Sequence, residues 1–106
     1  PRPGSGPYQT RADPILQLDA CNQIGFQVGF LASQRPMPDC EDASVTSIVP
    51  MDASAWPGGP LPAEIATAGT WFERWTLDCG GTHLPFAVAF MPDPKGGTNL
   101  SATLIE

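Results

Sequence analysis

From Thr70 to Glu106 the sequence alternates apolar and polar residues with a period of two, the pattern of strands that bury one face. In the first run Trp71, Glu73, Trp75 and Leu77 share one side, and Phe72, Arg74, Thr76 and Asp78 share the other. In the second, Leu84, Phe86, Val88 and Phe90 point inward, with Ala87, Ala89 and Met91 opposite. Both sides of that run are apolar or small, so it is expected to be a central strand. In the third, Leu100, Ala102 and Leu104 face in, while Asn99, Ser101 and Thr103 face water. Cys79-Gly80-Gly81-Thr82 and Pro92 to Gly97 separate the runs and supply Gly where tight turns need positive φ. Pro85 has no N–H to give to a ladder and belongs at a strand start or a bulge. The expected fold class is mainly β, with α+β as the alternative: a small antiparallel sheet ending in a C-terminal three-stranded meander.

The first two thirds are less regular. Among 106 residues there are 13 Pro and 11 Gly, which favours short elements and many turns. Residues 1–14 hold four Pro, two Gly and little apolar surface beyond Tyr8, so they read as a flexible N-terminal tether. The chain begins at Pro1 without Met, which suggests that a leader or upstream region has been removed. Residues 15–106 read as one small globular domain. Ile24, Phe26, Val28 and Phe30 alternate with Gly25, Gln27 and Gly29, and a strand is the preferred reading there. The rival is a helix from Ile15 to Ala32, with Leu16, Ala20, Ile24, Val28 and Leu31 near helical spacing. Pro36 and Pro38 make Ser33 to Asp42 a loop, and Ser44 to Val49 is a β-branched strand that ends at Pro50. Met51 to Thr70 is mostly loop, with one helical turn expected over Pro62 to Ala66.

Charge excludes some partners. Five Lys and Arg against eleven Asp and Glu give a net charge of −6. Phosphate backbones and anionic membranes are therefore poor partners, because each needs a basic patch. No run approaches the roughly 18 apolar residues of a membrane-spanning helix, so membrane insertion of the domain is not expected. A protein partner remains, and a basic one is the electrostatic match.

The candidate binding residues are Trp71, Glu73, Trp75 and Trp56. Alternation puts the Glu73 carboxylate on the Trp face, where a lone charge must be paired, neutralised or exposed. One reading is an acid in an aromatic cleft that holds a cationic or hydroxylic ligand. The favoured one is structural: a bulge turns Glu73 outward, or it pairs with an Arg such as Arg35. Trp71 and Trp75 are expected in the core before they are expected in a binding surface, and Trp56 is expected as a lid over one end of the core. For the three Cys the preferred disulfide is Cys40–Cys79, which joins a Pro-constrained loop to a strand end; Cys21–Cys40 is the alternative. A nucleophilic Cys21 or Cys79 acting with His83 lacks an orienting partner and an oxyanion site of recognisable spacing. The Cys and His spacings match no zinc motif, and neither a metal nor another cofactor is expected.

Gly69-Thr70-Trp71-Phe72-Glu73-Arg74-Trp75-Thr76-Leu77-Asp78-Cys79-Gly80-Gly81, with Pro85-Phe86 and Gly96-Gly97-Thr98, resembles the C-terminal part of small exported bacterial proteins of uncharacterised function. The resemblance covers Gly69 to Glu106. It implies export to the periplasm or cell envelope and a β-rich end, and it carries no activity. The expected function is a non-enzymatic protein-binding module of the bacterial envelope, of the inhibitor or immunity type. The alternatives are a carrier of a small apolar or cationic ligand and, less favoured, a Cys/His enzyme.

Overall fold

The structure, a computed structural model, describes residues 2–3, 8–59 and 69–106. In chain order the elements are β1 (Arg2–Pro3), α1 (Pro14–Ala32), β2 (Ser44–Met51), a short 3-10 turn (Ala53–Ala55), β3 (Trp71–Cys79), β4 (Thr82–Pro92) and β5 (Thr98–Leu104). The strands lie in one sheet in the order β1-β2-β3-β4-β5. β2 to β5 pair antiparallel, and the two residues of β1 run parallel to β2. The fold is thus mainly β with one helix, and the meander read from the C-terminal third extends back to a fourth strand, β2.

The turns form as their residues require. Cys79 pairs with Thr82, so Gly80 and Gly81 alone make the β3–β4 connection. Their φ values of 61° and 92° are those of a two-residue hairpin with both positions left-handed. Asp78 Oδ1 accepts from Gly81 N–H at 2.8 Å and fixes the turn. Pro85 sits inside β4 at the end of the β5 ladder, where it accepts one hydrogen bond and cannot return it. Its pairing partner on β5 is Ile105, one residue past the end of that strand.

The segment from Ile24 to Phe30, preferred as a strand, is helical. Asp13 caps α1, its carboxylate accepting from Leu16 N–H at 2.8 Å, and Pro14 opens the first turn. Ala20, Cys21 and Ile24 are buried, and Leu16 and Val28 pack against them from the adjoining turns. Each helical Gly costs about 1 kcal/mol relative to Ala. The cap and the burial of this stripe, at roughly 1.5–3 kcal/mol for a large aliphatic side chain, outweigh that cost. The period of two survives in a different form: Ile24 and Val28 turn toward the sheet, while Phe26 and Phe30 turn to solvent.

The core lies between α1 and one face of the sheet. Trp75, Leu77, Phe86, Val88 and Phe90 meet Ala20, Cys21 and Ile24 there, and Val45 and Ile48 of β2 complete it. On β4 the opposite face is buried as well, at Ala87, Ala89 and Met91, as expected of a central strand. The helical turn expected over Pro62 to Ala66 lies outside the described residues.

Residues 8–13, placed in the expected tether, lie along the sheet. The Tyr8 hydroxyl donates to the Val45 carbonyl at 2.6 Å, and Gln9 N–H donates to the Ile48 carbonyl at 2.7 Å. Ala12 is buried. Composition alone hides these anchors, because they are contacts with residues far along the chain. Pro1 and residues 4–7 lie outside the described residues.

Cys40 and Cys79 form a disulfide across 39 residues, joining the loop before β2 to the end of β3. In the loop-entropy account a closed loop of that size is worth about 4 kcal/mol. A Cys40→Ala/Cys79→Ala double variant should lose about 3–4 kcal/mol of unfolding free energy in urea. A loss below about 1 kcal/mol would show that other contacts hold this loop.

Candidate functional site

Glu73 is the one buried charged side chain among the described residues, at 2% exposure. β3 runs without a bulge through this point, with Glu73 opposite Val88 on β4 and Pro50 on β2. The carboxylate therefore stays on the helix-facing side, between Trp71 and Trp75. Neither expected escape occurs. The register shift in the sheet lies in β2, between Val45 and Ser47, and Arg35 pairs instead with Glu106 near the C-terminus.

Four donors surround the carboxylate. Oε1 accepts from the Thr10 hydroxyl at 2.7 Å and from the Trp75 indole N–H at 3.0 Å. Oε2 accepts from Arg11 N–H at 2.9 Å and from the Trp71 indole N–H at 3.0 Å. Each oxygen thus receives two hydrogen bonds, the full complement of a carboxylate. Desolvation of the charge is met by charge-assisted bonds on every lone pair. The Thr10 hydroxyl also accepts from Ala12 N–H at 3.0 Å, so Thr10 is fixed by both bonds. Trp71 stacks on Phe90 with centroids 4.8 Å apart and planes at 6°. The Arg11 guanidinium lies 4.5 Å from the Trp71 ring centroid, a cation–π contact.

The predicted binding residues thus divide. The structure brings Trp71, Glu73 and Trp75 together, yet it places Glu73 and Trp75, at 2% and 1% exposure, inside the core. A depression of about 300 Å³ beside Arg11, Thr70, Trp71 and Phe72 reaches this cluster. A cation entering it would find no open lone pair on Glu73. Trp56 stands apart from the three. Its ring packs on Phe72 at 5.5 Å, on the sheet face away from α1. Its indole N–H is buried without a partner among the described residues. Thr10 and Arg11 were missed by sequence reasoning. They lie 63 and 62 residues from Glu73, beyond the reach of any local pattern.

The cysteines are placed as preferred. Cys79 is held in the bridge to Cys40 and cannot serve as a nucleophile beside His83 while that bond is closed. Cys21 is free and buried among Tyr8, Gln17, Val45, Ile48 and Trp75. Burial pushes its thiol up, away from the reactive thiolate form.

Sequence reasoning also passed over a second region, the outer side of α1. Ile15, Leu18, Phe26 and Phe30 are exposed by 74%, 55%, 74% and 57%. Their spacings of three, eight and four residues keep them on one side of a helix. α1 thus carries apolar side chains toward solvent as well as toward the core, with Asp19 and Asn22 among the outer ones. The signal was present as a helix with a single charged residue, Asp19, in 19 positions. No protein family, curated protein or solved structure matches this chain.

Two outcomes follow for this region of the core. Glu73→Gln leaves two of the four donors facing an amide that cannot accept from them, and should cost on the order of 3 kcal/mol in chemical denaturation. The same variant should speed amide exchange at Arg11; unchanged exchange there would contradict the clamp. A thiol reagent should find no reactive group in the native protein and one per chain after unfolding without reductant; rapid native labelling would show Cys21 to be accessible.

Proposed function

We propose that this protein is a non-enzymatic protein-binding module, and that the outer side of α1 is its contact surface. One observation carries the reading: four large apolar side chains, two of them Phe, stand more than half exposed on one side of a single helix. Scattered apolar residues are ordinary on a surface. Here they gather on one side of α1 as two pairs, Ile15 with Leu18 and Phe26 with Phe30, separated by Asp19 and Asn22, and such grouping is a feature of interaction sites. Aromatic residues are enriched where interfaces concentrate their binding energy. The original candidate set, with Glu73 and Trp75 enclosed, offers no comparable surface.

The disulfide fits an oxidising compartment. With the resemblance of Gly69 to Glu106 to exported bacterial proteins, it supports a role in the periplasm or at the cell envelope. No described helix is long and apolar enough to cross a membrane. A net charge of −6 favours a basic protein partner, as for an inhibitor or immunity protein. The carrier reading is weaker, because Glu73 has spent its acceptors on Thr10, Arg11, Trp71 and Trp75.

Selection of a random peptide library on the immobilised protein tests the proposal. Binders should be enriched, and a Phe26→Asp/Phe30→Asp variant should lose them by about a hundredfold in affinity, while Trp56→Ala retains them. Failure to enrich binders, or binding indifferent to the two Phe, contradicts the reading.

A further inference from the structure

The strand order leaves β5 at one edge of the sheet. Its register with β4 identifies which of its backbone groups face outward. Ile105 N–H donates to the Pro85 carbonyl at 2.9 Å, and the next pair inward is Phe86 with Leu104. Hydrogen-bonded pairs alternate with non-bonded pairs in an antiparallel ladder. Asn99, Ser101 and Thr103 therefore turn their N–H and C=O toward β4. Thr98, Leu100, Ala102 and Leu104 turn theirs away from the sheet. One contact agrees with this assignment directly: the Leu100 carbonyl accepts from Gln23 Nε2 at 3.2 Å, from outside the ladder. The outward N–H groups of Leu100, Ala102 and Leu104 have no partner among the described residues.

Sheet edges in soluble proteins are usually guarded by charges, Pro or bulges. β5 reads Thr-Asn-Leu-Ser-Ala-Thr-Leu, with no charge and no Pro, and it pairs with β4 in unbroken register. Beside it runs a groove of about 330 Å³, with Phe26 and Phe30 on one wall and Leu100 and Ala102 on the other. The strand edge, to which α1 hydrogen-bonds through Gln23, and the exposed Phe26 and Phe30 thus line one groove.

We propose that this edge accepts an added strand: an extended, neutral-to-basic segment of a partner protein with large apolar residues at alternate positions. The inference rests on the protein-binding reading above and specifies its mode. Outward donors at Leu100, Ala102 and Leu104, and outward acceptors at Ala102 and Leu104, match an extended backbone, and the added strand takes over the Leu100 carbonyl from Gln23. A helix satisfies its own backbone groups internally and gains nothing from them. Alternate side chains of an added strand project to the side where Phe26 and Phe30 stand. Charge selects among extended segments. α1 and β5 together carry one charged residue, Asp19, and the chain carries −6. Lys and Arg are attracted and an acidic segment is repelled. A second copy of this chain, itself at −6, is disfavoured by the same field.

The probe is a synthetic peptide of about nine residues that alternates Val or Phe with Thr or Lys, compared with its Glu-for-Lys counterpart. On binding the Lys peptide, amide exchange at Leu100, Ala102 and Leu104 should slow about tenfold or more, with Ser101 and Thr103 unchanged. The Glu peptide should bind at least about tenfold more weakly. Ala102→Pro removes an outward N–H while leaving the β4 ladder intact, and should abolish that protection. N-methylation of alternate peptide residues should do the same without touching the protein. Spectral changes at Phe26 and Phe30 with no alternating protection would overturn the strand mode and leave the protein-binding reading standing. Failure of the Lys peptide to bind, while library-selected binders still depend on the two Phe, overturns this inference alone. Failure of both removes the two together. Protection of the same amides by dimerisation without peptide overturns it in favour of a second copy.

Discussion

The Glu73 carboxylate is the point on which the rest of this structure depends. A buried carboxylate is tolerated only if its lone pairs are filled. Here two donors come from the strand that carries it and two from residues 62 and 63 positions earlier. The chain before α1 is thereby held against the sheet, and Asp13, which starts the helix, follows two residues after Arg11. Position and capping of α1 are thus linked to one acid in the middle of β3. Trp71 and Trp75 take part twice, as apolar bulk and as donors, a dual role that suits an indole in a partly polar core.

This arrangement separates the aromatic residues by role. Trp71 and Trp75 surround an internal acid, so their polar atoms are already engaged. Phe26 and Phe30 have no such engagement and stand in water. The first group is engaged inside the fold, and the second is left exposed by it. The edge of β5 places outward N–H groups on the same side of the molecule, beside Phe26 and Phe30.

Much of the sheet was legible in the sequence. From Trp71 to Leu104 the alternation assigned each face, and Gly80-Gly81 marked the hairpin, because pattern and turn chemistry agree there. The alternation also put Glu73 on the Trp face. Its partners were not legible, since Thr10 and Arg11 lie in a Pro- and Gly-rich stretch 63 and 62 positions before it. The helix was obscured by a true ambiguity. Ile24, Phe26, Val28 and Phe30 fit a one-faced strand, and they equally fit a helix with two apolar sides. The local evidence that decides for helix, Asp13 followed by Pro14, is a capping signal and has no hydrophobic period. The exposed stripe on α1 was hidden for a related reason. Apolar residues are read as buried by default, and only the packed fold shows which of them the sheet leaves uncovered.

The claim that one acid ties the start of the chain to the sheet is tested most directly by a double-mutant cycle between Thr10→Val and Glu73→Gln. The account predicts a coupling on the order of 1–2 kcal/mol, because the two side chains share a short charge-assisted bond. A coupling within about 0.3 kcal/mol of zero would mean that Thr10 and Glu73 act independently, and that something other than the carboxylate holds the chain against the sheet.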